Sequence, residues 1–347
     1  MTRRINPSDY EADYKKIAEG YYSAEYFNRA HHILLEEGMD NRVVMQLFQK
    51  KDAVICGIDE AAAVLKACTP WDELIVSAVP DGTRVAPWET IMHIEGRLSD
   101  FVHLESVYLG IIRDATTVAT NVSEIVAAAN GKQVLYLADR FNRYTSQTTQ
   151  GYAAHVGGVD AVCTQAGVSL YGGHPIGTMP HALIAAFGGD VVEASLAFAR
   201  HYPDVNLVSL VDFNNDCVTD ALAVAKALGD RLWAVRLDTS EKVQDKSLWV
   251  GGAPAPYPTM YGVCPRLVHN VRKELDRCGY EHVKIVVSGG FNKDKITMFE
   301  DLGIPVDAYG VGSSMLVGGG DITADVVLPI SKFGREYRPN DRLERLL

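Results

Sequence analysis

From about residue 113 onward, short apolar runs alternate with longer segments in which apolar residues recur at helical spacing. The runs that fit buried strands are QVLYLADR, VDAVCTQAG, VNLVSLVD, LWAVRLDT, VKIVVSGG and DAYGVGSS. The helical segments between them include DVVEASLAFARHY, DCVTDALAVAKALGD, RLVHNVRKELDRCGY and KDKITMFEDLG. Alternation of this kind is typical of repeated β-α units with a parallel sheet. The pattern therefore predicts an α/β fold, an irregular (β/α) TIM-like barrel over residues 113–324.

Residues 1–112 lack this alternation. The segment SAEYFNRAHHILLEEG predicts a helix with one apolar face, ended by Gly38. Farther on, strand-like runs surround a Pro-Asp-Gly turn in LIVSAVPDGTRVAPWETIMHIEG, which predicts a small antiparallel sheet. A long predicted helix, LESVYLGIIRDATTVATNVSEIVAAANG, then leads into the barrel. We interpret residues 1–112, with the C-terminal tail 325–347, as a smaller α/β sandwich domain.

Composition and charge narrow the possible partners. The 347 residues are 47% hydrophobic and carry a formal charge of −11, so a polyanion would meet a repelling surface. We therefore expect neither a nucleic acid nor a membrane as partner. The six cysteines show no Cys-x-x-Cys spacing, which disfavours a disulfide framework or a structural metal. No apolar stretch approaches the length of a membrane span, so the cytoplasm is the expected compartment.

Polar and glycine residues follow the strand runs, at the end where a parallel barrel gathers its loops. A single strand-end aspartate is often only a helix cap, and a glycine pair is often only a tight turn. Because these residues are all expected at the same end of the barrel, they indicate a functional site there. They are Asp139, Arg140, Asp160, residues 177–181, Asp212, Arg236, Asp238, residues 288–290 and residues 310–313.

The last two strand runs end in the glycine-rich sequences VVSGGFN and AYGVGSSM. Small residues let backbone N–H groups approach a phosphate closely, and a helix N-terminus adds positive partial charge. The last two βα loops of such barrels recurrently bind phosphate. We therefore expect a phosphate site at residues 288–290 and 310–313.

Arg236 and Asp238 are two residues apart in a strand run, so their side chains should face the same way. An arginine suits a phosphate or carboxylate, and an aspartate suits ribose hydroxyls or a metal-bound pyrophosphate. An ion pair inside the barrel would explain the same spacing. His181 follows GTMP at the start of a predicted helix, either as a simple hydrogen-bonding residue or as a reactive one.

Four motifs, in this order, resemble those of nicotinate phosphoribosyltransferases, which are type II phosphoribosyltransferases: GTMPHALIAAFGGD, LGDRLWAVRLDTSE, IVVSGGFNKDKI and VDAYGVGSSM. The resemblance runs from about Tyr26 to Leu328. It implies a small α/β domain packed on an irregular barrel, and a homodimer whose active sites are shared between subunits. It also implies transfer of the phosphoribosyl group of phosphoribosyl pyrophosphate to nicotinate. The products would be nicotinate mononucleotide and pyrophosphate, on the salvage route to NAD.

The resemblance also implies roles for single residues. His181 matches a histidine that is phosphorylated when ATP hydrolysis is coupled to the transfer, so ATP is an expected co-substrate. Arg236 and Asp238 match the family's RxD motif at the phosphoribosyl pyrophosphate and base site. Tyr26 matches an aromatic residue that stacks on the pyridine ring from the neighbouring subunit. Arg140 matches the arginine after the first barrel strand.

Further substrate contacts are expected from a larger set, and the segment ADRFNRYTSQ leaves Arg143 as an alternative to Arg140. The glycines and serines of the set match the family's 5′-phosphate loops. Mg²⁺ is expected to be carried with phosphoribosyl pyrophosphate, without a metal cluster of the protein's own, and aspartates would hold the ion or the ribose hydroxyls. The set consists of Asp160, Thr178, Asp212, Ser288, Gly289, Gly290, Gly310, Gly312 and Ser313.

Other activities stay open as alternatives. Nicotinamide differs from nicotinate by groups that the sequence does not orient. Quinolinate enzymes carry a basic TRKT-like strand end that is absent here. From other classes, a sugar-phosphate lyase or isomerase would be favoured by a strand-end lysine, which we do not find. A non-catalytic barrel that acts as an interaction protein would be favoured by loss of Arg236, Asp238 or the glycine loops, all of which are present.

Overall fold

The computed structural model describes residues 4–39, 41–255, 257–318, 320–327 and 337–346. Besides short 3-10 turns, its helices are α1 (Tyr14–Ala18), α2 (Glu25–Glu36), α3 (Ile58–Cys68), α4 (Leu98–Phe101), α5 (Glu105–Ala128), α6 (Gln147–Gly157), α7 (Gln165–Val168), α8 (His181–Ala186), α9 (Val191–His201), α10 (Cys217–Leu228), α11 (Pro265–Arg277) and α12 (Lys293–Asp301). Its strands are β1 (Arg42–Gln49), β2 (Ala53–Val54), β3 (Ile75–Ala78), β4 (Arg84–Val85), β5 (Glu89–Arg97), β6 (Gln133–Tyr136), β7 (Ala161–Val162), β8 (Leu207–Leu210), β9 (Leu232–Leu237), β10 (Lys284–Val287), β11 (Ala308–Val311), β12 (Ile322–Val327) and β13 (Glu344–Arg345).

A six-stranded parallel sheet and the helices packed on it form the larger of the two main cores. The strand order of this sheet is β7-β6-β11-β10-β9-β8, and every neighbouring pair is parallel. Each strand lies within one of the six apolar runs, so the predicted strands are confirmed. The four predicted helical segments correspond to α9, α10, α11 and α12. The carboxyl ends of all these strands therefore meet along one edge of the sheet.

The sequence predicted a barrel, whereas the described residues form a curled half-barrel with β7 and β8 as its free edges. β7 is only Ala161–Val162, and residues 169–180 contain no strand. This stretch includes YGGHPIGTMP, whose glycines and prolines weaken or interrupt strand pairing. No strand therefore connects β7 with β8 in the described part of the chain.

A second sheet is antiparallel and has the order β12-β1-β5-β3-β13. The predicted small antiparallel sheet is present, since β3 and β5 flank the Pro-Asp-Gly turn. β12 and β13 bring the C-terminal part of the chain to the sheet's two edges. The predicted boundaries at residues 112 and 325 stay predictions. Residues 328–336 and 347 of the predicted tail lie outside the described residues.

The long helix α5 belongs to both hydrophobic cores. Near its start, Tyr108 and Ile112 are fully buried in the core of the antiparallel sheet. Farther along, Val118 and Val122 are buried in the core of the parallel sheet. The helix ends before Gly131, whose φ of +84° favours glycine. Among the described helices, none combines the length and apolar character that crossing a bilayer requires.

The predicted N-terminal helix is confirmed as α2, but its apolar face is covered only in part. No residue of α2 is buried, and Tyr26 and Ile33 are 66% and 58% exposed. Nδ1 of His31 lies 2.8 Å from the carbonyl oxygen of Ser99 in α4. On the same side of α2, Phe27, Ala30 and Leu34 are half-buried. Its amphipathic pattern therefore leaves apolar surface exposed on the single chain.

Candidate active site

Arg236 and Asp238 meet at the carboxyl end of β9, as their spacing predicted. Nη2 of Arg236 lies 3.0 Å from Oδ2 of Asp238. Leu237, between them, points the opposite way into the core. Ser288 extends the pairing of β10 beyond the strand, because its N–H donates to the Leu237 carbonyl at 2.9 Å. Two neighbouring strand ends are thereby held side by side.

A hydrogen-bond network joins these residues. Nε of Arg236 donates to Oγ of Ser288 at 2.8 Å, and Ser288 Oγ donates to Oδ1 of Asp238 at 2.7 Å. Nη1 of Arg236 donates to Oγ1 of Thr178 at 2.7 Å. Arg236 is only 16% exposed and is bonded to the segments after β7, β9 and β10. Its guanidinium therefore organises the site as well as bringing positive charge to it.

His181 and Asp212 form a second polar pair at the same edge. His181 is the first residue of α8 and is 44% exposed, and its Nε2 lies 3.1 Å from Oδ2 of Asp212. Asp212 follows β8, and its side chain is 7% exposed. Burial raises the pKa of Asp212, opposed by His181 and assisted by the nearby charge of Asp238. The two aspartates are thus close enough to interact electrostatically.

Oδ1 of Asp212 is buried and accepts no hydrogen bond from the described residues. A buried carboxylate oxygen without a partner is costly, so it fits a hydroxyl donor or a cation brought in by a ligand. Within the described ranges, no group of three or more His, Cys, Asp or Glu side chains is arranged to hold a metal ion. The Mg²⁺ expected from the sequence stays a prediction, and the unpartnered Oδ1 of Asp212 is the observation at this edge that bears on it.

The two glycine loops lie against each other. Gly289 and Gly290 have φ of +83° and +72°, which side chains rarely adopt. A Cβ on Gly310 would lie 2.7 Å from Cδ1 of Leu137, so a larger residue would force the Leu137 side chain to move. Oγ of Ser314 donates to the carbonyl of Phe291 at 2.9 Å and joins the second loop to the first.

These loops present unused donors. The backbone N–H groups of Gly289, Gly290, Gly312 and Ser313 make no hydrogen bond to the residues that the structure describes. Convergent free N–H groups at loop turns are suited to phosphate oxygens. The phosphate site expected from the sequence stays a prediction, and these four N–H groups are the donors it would use.

Arg140 and Arg143 lie in the loop after β6, and both are exposed. A Cβ on Gly312 would lie 2.6 Å from Cε2 of Phe141, so this loop packs beside the second glycine loop. Neither arginine makes an ion pair within the described residues. Both guanidinium groups are therefore available to an anionic ligand.

Asp160 and Tyr26 are not brought to this edge of the chain. Asp160 precedes β7, and its Oδ2 accepts from the Val134 N–H at 2.8 Å, near the start of β6. The predicted strand-end position of Asp160 was wrong, because the strand begins after it instead of before it. Its carboxylate caps the opposite end of the sheet. Tyr26 lies on α2, beside Phe27, with the antiparallel sheet's part of the molecule.

Sequence reasoning missed Lys295, in the first turn of α12. Its Nζ lies 3.4 Å from the carbonyl oxygen of Gly289, behind the first glycine loop. The signal was present in SGGFNKDKI, since Asn292 caps the helix and fixes which following residue faces the loop.

Comparison with known proteins connects this fold and site to a family. The profile described as quinolinate phosphoribosyl transferase, N-terminal domain, matches residues 26–116. A nicotinate phosphoribosyltransferase of Mycobacterium tuberculosis is 28% identical over 258 residues, which are 73% of this chain and 52% of that protein. One from Bacillus subtilis is 24% identical over 242 residues, 69% of this chain and 45% of that protein. The chain therefore spans about half the length of these relatives.

Solved structures extend the likeness over nearly the whole chain. The nicotinate-nucleotide pyrophosphorylase of Pyrococcus furiosus superposes with a TM-score of 0.80 and 31% identity, covering 92% of this chain and 77% of that one. Human nicotinic acid phosphoribosyltransferase shares the fold, with a TM-score of 0.67 and 18% identity over 88% of this chain and 74% of that one. The fold defines an α/β half-barrel protein with an accessory antiparallel sheet. The chain belongs to the type II phosphoribosyltransferase family.

Proposed function

We propose that this protein is a nicotinate phosphoribosyltransferase, which joins nicotinate to phosphoribosyl pyrophosphate and releases pyrophosphate in NAD salvage. The observation that carries the proposal is the network of Arg236, Asp238, Ser288 and Thr178 beside two glycine loops with free N–H groups. Such a site offers donors to a phosphate and carboxylates to a ribose or its magnesium. The names of the relatives from Mycobacterium tuberculosis and Bacillus subtilis support nicotinate as the base.

The proposed reaction needs little general acid–base catalysis from the protein. The pyridine nitrogen of nicotinate attacks C1 of the ribose, and the bond from C1 to pyrophosphate breaks through a transition state with oxocarbenium character. The nucleophile is neutral, so no general base is required, and catalysis depends on positioning and charge stabilisation. Mg²⁺ bound to the pyrophosphate would offset the charge of the leaving group.

Residues at the strand ends divide this work. The loops at residues 288–290 and 310–313 would bind the 5′-phosphate through their free N–H groups. Asp238 and Asp212 would hold the ribose hydroxyls or the magnesium ion, which the unpartnered Oδ1 of Asp212 supports. Arg140 or Arg143 would pair with the nicotinate carboxylate.

ATP coupling and dimer formation are further parts of the proposal. Phosphorylation of His181 at the expense of ATP would favour product formation, and the exposed imidazole of His181 at the helix start supports its access to ATP. A homodimer would let α2 carry Tyr26 into the active site of the partner, which the exposed apolar face of α2 supports. We keep the cytoplasm as the expected compartment.

A second candidate base is quinolinate. It is favoured by the N-terminal profile, which is described for quinolinate phosphoribosyl transferases. Against it, the basic TRKT-like strand end expected for quinolinate enzymes is absent from the sequence. Quinolinate has a second carboxylate, so its recognition would use both exposed arginines of the loop after β6.

Mononucleotide formation with each base decides between these activities. The protein is supplied with phosphoribosyl pyrophosphate, Mg²⁺ and either nicotinate, nicotinamide or quinolinate, with and without ATP. Turnover confined to nicotinate is the expected result. Turnover with nicotinamide or quinolinate instead would reassign the base, and absence of turnover with all three would reject a transferase acting on pyridine bases.

A further inference from the structure

Lys295 is held directly behind the first glycine loop. Its Nζ lies 3.4 Å from the carbonyl oxygen of Gly289 and 4.2 Å from the centroid of the Phe291 ring. Oδ1 of Asn292 accepts from the Lys295 N–H at 2.9 Å, so the helix cap fixes the position of the backbone that carries this side chain. The ammonium group is therefore part of the loop's support.

The charge of Lys295 is not neutralised by a close carboxylate. On the same helix, Lys293 pairs with Glu124 at 3.0 Å, whereas Lys295 makes no such pair within the described residues. Burial lowers the pKa of Lys295, and Cys264 and Glu241 oppose this shift. Partly burying an ammonium group that has no ion-pair partner costs free energy. An anion at the loop would supply the missing complement.

The contact of Lys295 with the Gly289 carbonyl also sets the orientation of the Gly290 N–H, because both groups belong to one peptide unit. The described backbone has no cis peptide bond, so the C=O and N–H of this planar unit point in opposite directions. The Gly289 carbonyl faces Lys295, and the Gly290 N–H therefore points away from Lys295. That N–H is one of the donors without a partner among the described residues. Glycines on both sides allow the unit to rotate easily, and the bond to Lys295 opposes that rotation.

We propose that Lys295 is a positioning residue for the phosphate: its ammonium holds the Gly289 carbonyl, so that the Gly290 N–H is presented to the 5′-phosphate of phosphoribosyl pyrophosphate. The cation also polarises the peptide unit and strengthens the N–H as a donor. This inference rests on the proposed function, because it explains how the same site takes its phosphate. The phosphate in turn complements the charge of Lys295.

The test compares three variants. Lys295→Met removes the ammonium but keeps an apolar stem against Phe291, Lys295→Arg restores a cationic donor, and Lys293→Met removes an exposed charge from the same helix. Binding of magnesium phosphoribosyl pyrophosphate is measured by calorimetry, and KM and kcat are measured with nicotinate. Lys295→Met should raise Kd and KM for phosphoribosyl pyrophosphate about tenfold to hundredfold, the effect of a lost hydrogen bond to a charged group. Its kcat should change much less.

Lys295→Arg should recover most of the binding, and Lys293→Met should behave as the wild type. A Kd for Lys295→Met within about twofold of the wild type, a difference below 0.5 kcal/mol, would overturn the inference. If Lys295→Met does not fold, Lys295→Leu, which also lacks a donor for the Gly289 carbonyl, replaces it under the same criterion. Calorimetry measures binding without turnover. The positioning role of Lys295 and the proposed transferase activity can therefore be rejected independently of each other. Weakened binding in Lys295→Met without turnover of any pyridine base would support the role of Lys295 and reject the transferase activity.

Discussion

Nη1 of Arg236 donates a 2.7 Å hydrogen bond to Oγ1 of Thr178, although the two residues are 58 positions apart in the sequence. Thr178 follows β7, which is one edge of the half-barrel, and Arg236 is on β9, next to the other edge. The pair of His181 with Asp212 makes a second link between the same two sides. Side chains of the segment after β7 therefore span the gap that no described strand fills.

Thr178→Val tests whether this link positions Arg236. Valine matches the shape of threonine without the hydroxyl, so a buried N–H of Arg236 loses its acceptor, at a cost of about 1–3 kcal/mol. We expect kcat/KM for phosphoribosyl pyrophosphate to fall about tenfold or more, and Thr178→Ser to retain most of it. Equal activity of the valine and serine variants would mean that the hydroxyl has no positioning role.

Arg236→Lys tests the geometry of the guanidinium against its charge. A lysine keeps the charge but cannot direct three separate donors to Thr178, Ser288 and Asp238. Loss of two charge-assisted hydrogen bonds, each worth about 1.5–3 kcal/mol, should lower kcat/KM by about two orders of magnitude or more. Arg231→Lys is the control, because Arg231 is exposed and bonds only the Pro203 carbonyl among the described residues. A similar small loss in both variants would contradict the network's importance.

The parallel sheet and its glycine loops could be predicted because their signals are local. A buried strand shows itself as a short apolar run, and each glycine loop follows its run directly. β7 shows the limit of this reasoning. Its run begins before the strand does, and Asp160 therefore came out on the wrong end of the sheet.

Contacts between residues distant in the sequence were harder to predict from the sequence. The spacing of Arg236 and Asp238 predicted that they share a side, but nothing local indicated that Arg236 also bonds Thr178. Lys295 is an ordinary lysine in a helix until the helix cap and the loop are seen together. In α2 the amphipathic pattern predicted an apolar face, but periodicity does not say which surface, or which subunit, covers it.

His181 should be required for ATP coupling alone. His181→Gln keeps an N–H donor near Oδ2 of Asp212 but cannot be phosphorylated on a ring nitrogen, whereas His181→Ala also breaks the pair. We expect ATP to raise nicotinate turnover in the wild type and in neither variant. Without ATP, the glutamine variant should stay near the wild type. Stimulation by ATP that survives in either variant would exclude His181 as the phosphorylated group.

Asp81 should make the stability of the fold depend on pH. The residue is buried in the turn after β3, where its Oδ1 accepts from the Ile58 N–H at 2.9 Å. Burial, together with the neighbouring charge of Asp59, raises the pKa of Asp81 to about 7, while Arg4 opposes the rise. The folded protein therefore holds a proton that the unfolded chain releases near pH 4. The contribution of Asp81 to the free energy of unfolding is therefore complete below that pH. It is lost as the pH rises toward and through about 7.

Asp81→Asn removes this titration and keeps an oxygen for the Ile58 N–H. The measurement is the free energy of unfolding in urea at pH 5 and pH 8. The wild type should lose about 2–3 kcal/mol more than the variant between these conditions, since the folded-state pKa of about 7 lies two units above pH 5 and one unit corresponds to about 1.4 kcal/mol. Burial, with the charges of Asp114 and Asp81, also raises the pKa of Glu60 to about 7, so Glu60→Gln is introduced into both proteins and only Asp81 differs in titration. Parallel losses in the two proteins would show that Asp81 is ionised at both pH values in the folded state.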